Sequence, residues 1–530
     1  MIHNKILQGK EFKSTLNNIS LGDFFFNYAE KNANKICQID ADLDQSETYS
    51  SVKQRTTRLA IHLKKRGITS KDVVAFCSYN SLDNTIPIIS SLYLGAKVVS
   101  LDPTLSARQT KHLLSLVSPR LIFVGEESVT LIENCLNEVN LNAEIVVFGK
   151  SIKYETFSNL LTPTPEEKTF RPEKVDIHDI AVMFFSSGTT GLPKAICHSH
   201  YSFLQLTDIS NQSGHDTNCT LHFTTFYWIS GMLMLSLIFL DGGTRVFARN
   251  MEGEKTLKMI EKYRITTLFV APVYTYELTS VANPEKFDLS SFRCFLTGGT
   301  SISTEQYKKL SSYFPQTQIL FGYGMSEIGI ISVFHSTRDK HFIKTKLGSC
   351  GKIVAQTTLK IVNPDTEEIL GPHQKGEIRV KSSGLFKGYY NAASSHCFDK
   401  DGFLKSGDIG YYDEDGCLYV VGRIKEMFKY LSWHIVPSSI EAILLEHSAV
   451  KDAVVFGIPA GEKGEIPAAC VVLKDNCCNI DKEEILKFVE ERVSEREKLR
   501  GGVTFLNELP RTPTGKLIRN EVRNIVIKSM

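Results

Sequence analysis

The segment Ser186–Lys194 combines the residue types that bind phosphate. It reads Ser-Ser-Gly-Thr-Thr-Gly-Leu-Pro-Lys and follows an apolar stretch that ends at Phe185. Hydroxyl donors, backbone N–H groups left open by glycine and one mobile lysine can surround phosphate oxygens. The spacing is not GxxxxGK[ST], because Pro193 takes the place of the second glycine and Ala195 that of the metal-binding hydroxyl. The segment predicts a phosphate-binding loop of another kind, with a flexible surface loop between strand and helix as the alternative.

Four further short motifs follow along the chain. They are Phe321-Gly322-Tyr323-Gly324-Met325-Ser326-Glu327, Ser406-Gly407-Asp408, Gly422-Arg423-Ile424-Lys425-Glu426-Met427 and Pro510-Arg511-Thr512-Pro513-Thr514-Gly515-Lys516. Each alone is a weak indicator, since turns and exposed loops use the same residue types. Together with Ser186–Lys194 and in this order, they resemble the adenylate-forming superfamily. The resemblance is closest to its branch of acyl-CoA synthetases, 4-coumarate-CoA ligases and beetle luciferases, and it extends from about Leu21 to Arg523.

The resemblance implies a two-step reaction. Such enzymes join a carboxylate to the α-phosphate of ATP, release pyrophosphate, and then let a thiol displace AMP. The chain is therefore expected to be an ATP-dependent carboxylic acid:CoA ligase for a fatty or aromatic acid, using ATP, Mg²⁺ and CoA. A luciferase-like adenylating oxygenase and a non-catalytic nucleotide or acyl binder are the alternatives. The joint presence of Lys194, Glu327, Asp408, Arg423 and Lys516 disfavours the binder, which has no chemical use for both a phosphate loop and a mobile lysine.

The nucleotide-binding residues are implied by the same motifs. Glycine lets the backbone approach the base, and a carboxylate accepts hydrogen bonds from both ribose hydroxyls. Glu327 is the expected Mg²⁺ ligand, since a hard cation prefers oxygen donors. The resemblance assigns Ser186, Ser187, Gly188, Thr189, Thr190, Gly191 and Lys194 to the phosphates, Gly298, Gly299, Thr300, Gly322, Tyr323, Gly324, Met325 and Ser326 to the adenine side, and Asp408 and Arg423 to the ribose.

Three residues are implied as catalytic and one as a hinge. Lys516 is expected to promote adenylation, because a long flexible cation reaches both the attacking carboxylate and the α-phosphate. Lys429 adds a cation near the adenylate. His200 either contacts the adenylate or caps and packs the helix that follows the phosphate loop. Lys425 matches the family's hinge, about which the smaller domain rotates after adenylation.

Two departures from the family pattern bear on specificity. The acyl-binding helix is expected to begin at Phe226, and Trp228 stands where luciferases and many ligases carry histidine. Trp228 and Gly231 are the predicted acyl-pocket residues. They disfavour luciferin and favour an aliphatic or aromatic acid, although Trp228 is alternatively a structural aromatic. In the predicted CoA tunnel, Ser432 stands where relatives have a glycine and His434 where they have a glutamine, so the residues expected to serve the thiol step depart from the family pattern.

The elements that position these residues follow from hydrophobic patterning. Short apolar runs predict strands at 73–77, 121–124, 144–148, 180–185, 267–270 and 294–297, and amphipathic stretches predict helices at 51–65 and 255–263. Strands and turns prevail from Gly376, and a smaller unit follows with helices at 438–446 and 482–495 and strands at 452–456 and 468–473. We expect an α/β protein with a large N-terminal domain of mainly parallel sheets, packed with helices and including a β-barrel-like part, and a small mobile α+β C-terminal domain. The expected bounds are 1–421, a hinge at 422–425, and 426–530.

Composition and cysteine content bear on the class of protein, its partners and its location. The 530 residues exceed a single small binding module, and 61 Lys and Arg against 59 Asp and Glu give no general electrostatic case for nucleic acid or an anionic membrane. No CxxC pair occurs among the 12 cysteines, so neither zinc nor a disulfide framework is indicated. The 18 uncharged residues 223–240 are interpreted as a buried helix rather than a membrane span. An intracellular location is expected, cytoplasmic or peroxisomal, although the final Lys-Ser-Met is not a clear peroxisomal signal.

Overall fold

A computed structural model describes residues 2–186, 193–299, 304–431, 433–461, 464–474, 480–511 and 517–529. The strands of these residues are β1 (Ile2–His3), β2 (Ile6–Gln8), β3 (Ile36–Asp40), β4 (Gln45–Thr48), β5 (Val73–Cys77), β6 (Lys97–Leu101), β7 (Leu121–Gly125), β8 (Glu144–Phe148), β9 (Glu155–Thr156), β10 (Ile180–Phe185), β11 (Ala195–Ser199), β12 (Cys219–His222), β13 (Thr244–Phe247), β14 (Thr267–Val270), β15 (Cys294–Gly298), β16 (Gln318–Met325), β17 (Gly329–Val333), β18 (Lys352–Ile353), β19 (Thr357–Val362), β20 (Gly376–Ser382), β21 (Gly388–Tyr389), β22 (Leu404–Tyr412), β23 (Leu418–Arg423), β24 (Phe428–Tyr430), β25 (Trp433–Ile435), β26 (Val450–Pro459), β27 (Glu465–Leu473) and β28 (Val503–Phe505). The α-helices are α1 (Leu21–Lys31), α2 (Tyr49–Lys65), α3 (Thr85–Tyr93), α4 (Ala107–Val117), α5 (Val129–Glu138), α6 (His200–Asn211), α7 (Ile229–Asp241), α8 (Gly253–Lys262), α9 (Thr275–Thr279), α10 (Thr304–Tyr313), α11 (Lys340–Thr345), α12 (Pro437–Glu446), α13 (Lys482–Glu490) and α14 (Arg519–Ser529).

Two largely parallel sheets form the body of the large domain. One has the strand order β21-β11-β10-β6-β5-β7-β8-β9, and the other has the order β18-β17-β16-β15-β14-β12-β13-β3-β4. The interior strand β5 is buried at all five positions, as expected for a parallel strand covered by helices on both faces. This burial is why continuous apolar runs located the predicted strands, all six of which are confirmed.

A third sheet and a small unit complete the chain. The third sheet is six-stranded and antiparallel, in the order β1-β2-β19-β20-β22-β23. Its strands β20, β22 and β23 lie where the sequence predicted strands and turns from Gly376, whereas β1, β2 and β19 precede that region. The C-terminal unit combines the β26-β27-β28 sheet with α12, α13 and α14. The predicted class, a large domain of mainly parallel sheets with a small α+β domain, is confirmed.

Two predicted helix boundaries are wrong, and one strand was not predicted. The acyl helix α7 begins at Ile229 rather than Phe226, because residues 225–228 form a turn in which the Trp228 N–H donates to the Thr225 carbonyl oxygen at 3.3 Å. Helix α13 ends at Glu490 rather than at residue 495, and a turn held by Ser494 follows it. A strand, β11, directly follows the phosphate loop where none was predicted.

The apolar stretch 223–240 is divided between a loop and a buried helix. Only its second part is helical, and α7 packs against α1 and α6. No helix among the described ranges has both the length and the apolar character needed to cross a membrane.

Candidate active site

The predicted phosphate segment connects two antiparallel strands, β10 and β11. Strand β10 pairs with β11 through Phe185 opposite Ala195, so the loop begins and ends at neighbouring positions. Two hydrogen bonds close its base: the Ser186 N–H donates to the Lys194 carbonyl at 2.9 Å, and the Lys194 N–H donates to the Ser186 hydroxyl at 2.9 Å. The predicted site residues Ser187, Gly188, Thr189, Thr190 and Gly191 lie outside the described residues, as do Thr300, Ser432 and Lys516.

The two glycine motifs meet on adjacent parallel strands. Gly298, at the end of β15, lies directly opposite Gly322 of β16, and a Cβ on Gly298 would stand 2.4 Å from the Gly322 carbonyl oxygen. Gly299 follows with a φ of +90°, a conformation that favours glycine. The register therefore brings the motifs predicted for the adenine side to one edge of the sheet, where the backbones approach each other without side chains between them.

A buried carboxylate joins Tyr323 to the third sheet. Asp408 is only 7% exposed, and its Oδ2 accepts a hydrogen bond of 2.7 Å from the Tyr323 hydroxyl. Its Oδ1 lies 3.3 Å from Nε of Arg423, the residue opposite Asp408 in the β22–β23 pairing. Burial and the neighbouring Asp408 carboxylate raise the pKa of Tyr323 well above 10, so the phenol stays a donor. A hydrogen bond and an ion pair thus join three predicted nucleotide-binding residues into one group.

The second carboxylate, Glu327, is hydrogen-bonded to Tyr389, a residue outside the five motifs. Glu327 is 8% exposed in the turn between β16 and β17, and its Oε1 accepts a 3.0 Å hydrogen bond from the Tyr389 hydroxyl. The Lys194 Nζ lies 4.8 Å from the centroid of the same tyrosine ring. Burial raises the pKa of Glu327, and the hydrogen bond from Tyr389 partly offsets that rise. Tyr389 therefore contacts both the predicted metal ligand and the phosphate-loop lysine.

The surroundings of Glu327 suit a metal that arrives with a nucleotide. No group of three or more His, Cys, Asp or Glu side chains that could hold a metal ion occurs in the described part of the chain. Mg²⁺ is commonly bound by one or two carboxylates together with substrate phosphates, and it keeps several waters. A single buried carboxylate beside the base of a phosphate loop fits that donor set.

The two histidines after the phosphate loop have structural partners. His200 is the first residue of α6 and is fully buried; its Nδ1 accepts a 3.1 Å hydrogen bond from the Leu21 N–H at the start of α1. Its Nε2 has no hydrogen-bond partner among the described residues. His198 lies 2.8 Å, through Nε2, from the Ser326 carbonyl oxygen. Burial lowers the pKa of each histidine to about 4, so both are neutral near pH 7. These contacts favour the packing interpretation of His200.

The predicted acyl segment is linked to the phosphate-loop strand by aromatic contacts. Trp228 is half-buried immediately before α7, and its ring meets that of Tyr227 edge-on at 4.9 Å. Tyr227 in turn lies 6.0 Å, between ring centroids, from Phe185 at the end of β10. The Thr225 hydroxyl donates to Asp102 at 3.0 Å, which fixes the loop before Trp228. The arrangement places an apolar aromatic surface next to the base of the phosphate loop.

The remaining predicted residues lie after β23. Lys425 is exposed within a short 3₁₀ turn, Ile424–Glu426. Lys429 and His434 are paired across the β24–β25 hairpin. Three residues after Lys516 in the chain, Arg519 at the start of α14 forms an ion pair with Glu441 of α12 and lies 3.4 Å from Glu426.

Comparison with known proteins identifies the family. Residues 25–390 match the family described as AMP-binding enzyme, and residues 439–516 match the AMP-binding enzyme C-terminal domain. The chain is 31% identical to luciferin 4-monooxygenase of Photinus pyralis over 92% of this chain and 91% of that protein. It is 28% identical to 4-coumarate-CoA ligase 1 of Narcissus pseudonarcissus over 95% of this chain and 93% of that protein.

A solved structure of a nearer relative agrees with the fold. The luciferase-like enzyme from the nonluminescent mealworm Zophobas morio superposes with a TM-score of 0.77 at 64% identity, covering 79% of this chain and 99% of that chain. The matched regions contain three of the five motifs; the Asp408 motif and the hinge segment lie between the two family matches. The chain is a member of the AMP-binding enzyme family, the adenylate-forming superfamily that includes 4-coumarate-CoA ligases and luciferases.

Proposed function

We propose that the protein is an ATP-dependent carboxylic acid:CoA ligase that forms an acyl-adenylate and then an acyl-CoA. The observation that carries the proposal is the Tyr323–Asp408–Arg423 group, a nearly buried carboxylate held between a phenol and a guanidinium. It lies beside a second buried carboxylate, Glu327, which suits Mg²⁺. One ribose-binding and one metal-binding carboxylate next to a phosphate loop supply what ATP-dependent activation requires.

In the first half-reaction, a carboxylate oxygen of the acid attacks the α-phosphorus of ATP. The new P–O bond gives acyl-AMP, and the bond to the β-phosphate oxygen breaks to release pyrophosphate. Asp408 orients the ribose, Lys194 and the Ser186 loop neutralise the outgoing phosphates, and Lys516 stabilises the charge that develops at the α-phosphate. A bound Mg²⁺ held by Glu327 would add charge neutralisation on the phosphate oxygens.

In the second half-reaction, the CoA thiol attacks the acyl carbonyl carbon. The acyl C–O bond to AMP breaks, AMP leaves with the carboxylate-derived oxygen, and the thiol proton passes to solvent. We expect rotation about Lys425 to withdraw Lys516 and to bring the β24–β25 hairpin, with Lys429, Ser432 and His434, to the acyl-adenylate. Ser432 is small enough to leave room for the pantetheine chain, although it adds a Cβ where relatives have glycine.

The acyl substrate is proposed to be a fatty or aromatic acid. The apolar rings of Trp228 and Tyr227 beside the phosphate-loop strand favour an apolar acid over a polar one. A luciferase-like oxygenase remains the second candidate because the luciferin 4-monooxygenase of Photinus pyralis is 31% identical to this chain. Trp228 in place of a basic histidine disfavours it, and the 64% identical relative comes from a nonluminescent mealworm.

The test is carboxylate-dependent exchange of pyrophosphate into ATP across acetate, medium- and long-chain fatty acids, coumarate and luciferin. Each acid that supports exchange is then incubated with ATP, Mg²⁺ and CoA, and the thioester is measured by mass spectrometry. Exchange followed by thioester formation is the expected result. Exchange without thioester for every active acid would refute the ligase assignment, and light emission with luciferin would favour the oxygenase.

A further inference from the structure

We infer that Tyr389 is a positioning residue that links the phosphate-loop lysine to the metal-binding carboxylate. The inference deepens the proposed ATP-dependent function and rests on it. It follows from where one side chain lies: the hydroxyl donates to Glu327 Oε1 at 3.0 Å, and the ring lies 4.8 Å from the Lys194 Nζ. Tyr389 itself belongs to none of the five motifs and lies in the chain between the Glu327 motif and the Asp408 motif.

The backbone around Tyr389 is fixed independently of both partners. The Tyr389 N–H donates to the Ser394 hydroxyl at 2.9 Å, and the following Tyr390 N–H donates to the Ala195 carbonyl at 2.8 Å. Tyr389 pairs with Ile196 of β11, two residues after Lys194. The strand that leaves the phosphate loop therefore determines where the phenol lies.

Glu327 is fixed from the same segment. Its carbonyl oxygen accepts the Phe386 N–H at 2.8 Å, and the Phe386 ring meets the Tyr389 ring at 5.2 Å between centroids. The main chain and the carboxylate of Glu327 are thus both bound to residues 386–389. A carboxylate with one oxygen already satisfied has fewer rotamers to lose when it binds a cation through the other oxygen.

The two contacts of Tyr389 make separable contributions. The hydroxyl acts on Glu327 and hence on the metal, whereas the ring acts on Lys194 and hence on the phosphates through a cation–π contact. Replacing Tyr389 by Phe removes the hydroxyl, with its contacts to Glu327 and Cys397, and keeps the ring; replacing it by Leu removes the aromatic ring as well. Tyr390→Phe is the matched control, since it deletes a phenol hydroxyl at the next residue and leaves Tyr389 in place.

The experiment is calorimetric titration of each purified full-length variant with ATP, once with Mg²⁺ and once with EDTA, after a thermal melt that confirms folding. For Tyr389→Phe we expect binding of Mg–ATP to weaken by about 10-fold, the effect of losing a hydrogen bond to a charged group, with metal-free ATP binding changed less than about twofold. For Tyr389→Leu, metal-free ATP binding should weaken as well, by about 3-fold. Tyr390→Phe should match the wild type in both titrations.

Three outcomes overturn the inference. One is equal weakening of Mg–ATP and metal-free ATP binding by Tyr389→Phe, which would mean a general structural effect. Another is tighter Mg–ATP binding, which would mean that the hydroxyl competes with the metal for Oε1. The third is no change in either titration. Failure of the wild-type protein to bind ATP at all would instead refute the proposed function, so the two failures are distinguishable.

Discussion

The nucleotide-binding part of the large domain and the C-terminal part of the proposed site hold their charged groups differently. Asp408 and Glu327 are almost buried, and each accepts a hydrogen bond from a tyrosine. Lys425, by contrast, is exposed on a single 3₁₀ turn. The groups proposed to bind the nucleotide in both steps are preorganised, whereas the proposed hinge lies on the surface. Substitutions in the first region should weaken nucleotide binding, and substitutions in the second should separate the half-reactions.

The largest effect is expected for Lys516→Ala. Loss of the cation proposed to stabilise charge at the α-phosphate should lower the adenylation rate about 10³-fold. ATP binding should change little, because the residues proposed to bind ATP lie in the large domain. Single-turnover formation of acyl-AMP and calorimetric ATP binding measure the two quantities. Lys498→Ala, which removes a lysine paired with Glu495, is the control. Unchanged adenylation would remove Lys516 from the mechanism.

Asp408→Ala should weaken ATP binding by about 100-fold, since charge-assisted hydrogen bonds to the ribose are lost and Arg423 loses its partner. Adenylation and thioester formation from added acyl-AMP should be weakened equally, because the AMP part of the ligand is expected to be bound in both steps. Asp401→Asn, which removes a carboxylate paired with Lys360, should leave both unchanged. A loss confined to one half-reaction would contradict the shared role.

Lys425→Pro should slow thioester formation about 10-fold more than adenylation. Proline fixes its own φ and restricts Ile424, so it hinders rotation of the backbone at the proposed hinge. Lys425→Ala removes the side chain but leaves the backbone free to rotate, and it should have a smaller effect. Rates of the two half-reactions, measured separately by rapid quench, decide the point. Equal losses in both would count against a hinge at this residue.

Tyr323→Phe should weaken ATP binding about 5-fold, the net contribution of one buried hydrogen bond to Asp408. The aromatic ring that is predicted to face adenine is retained, so the effect should be smaller than that of Asp408→Ala. Calorimetric titration with ATP measures it. An effect as large as that of Asp408→Ala would mean that Tyr323 does more than orient the carboxylate.

Acid should destabilise the large domain through its buried histidines. Burial lowers the pKa of His198, His200 and His215 from 6.5 to about 4. The unfolded state therefore binds more protons between these values, and stability is lost as pH falls from 6.5 towards 4, by at most about 3 kcal/mol for each histidine. His200→Asn retains an acceptor for the Leu21 N–H but does not titrate. It should flatten the dependence of urea unfolding on pH, and an unchanged slope would refute this contribution.

Local patterns predicted much of the fold but only part of the site. Buried parallel strands such as β5 are continuous apolar runs and are visible in the sequence. Strand β11 was missed because its His198 and Ser199 look polar, although all five of its residues are buried. Glycine and charge motifs predicted Asp408 and Glu327. Their tyrosine partners depend on contacts across 85 and 62 residues, which no local pattern encodes.

The route of the carboxylate oxygen tests the central claim most directly. The acid is labelled with ¹⁸O in both carboxylate oxygens and converted in the presence of ATP, Mg²⁺ and CoA, and the products are analysed by mass spectrometry. Attack of the carboxylate on the α-phosphorus predicts one ¹⁸O atom in AMP for each thioester formed, with none in pyrophosphate. Label in pyrophosphate or inorganic phosphate, or unlabelled AMP alongside thioester, would contradict activation through an acyl-adenylate.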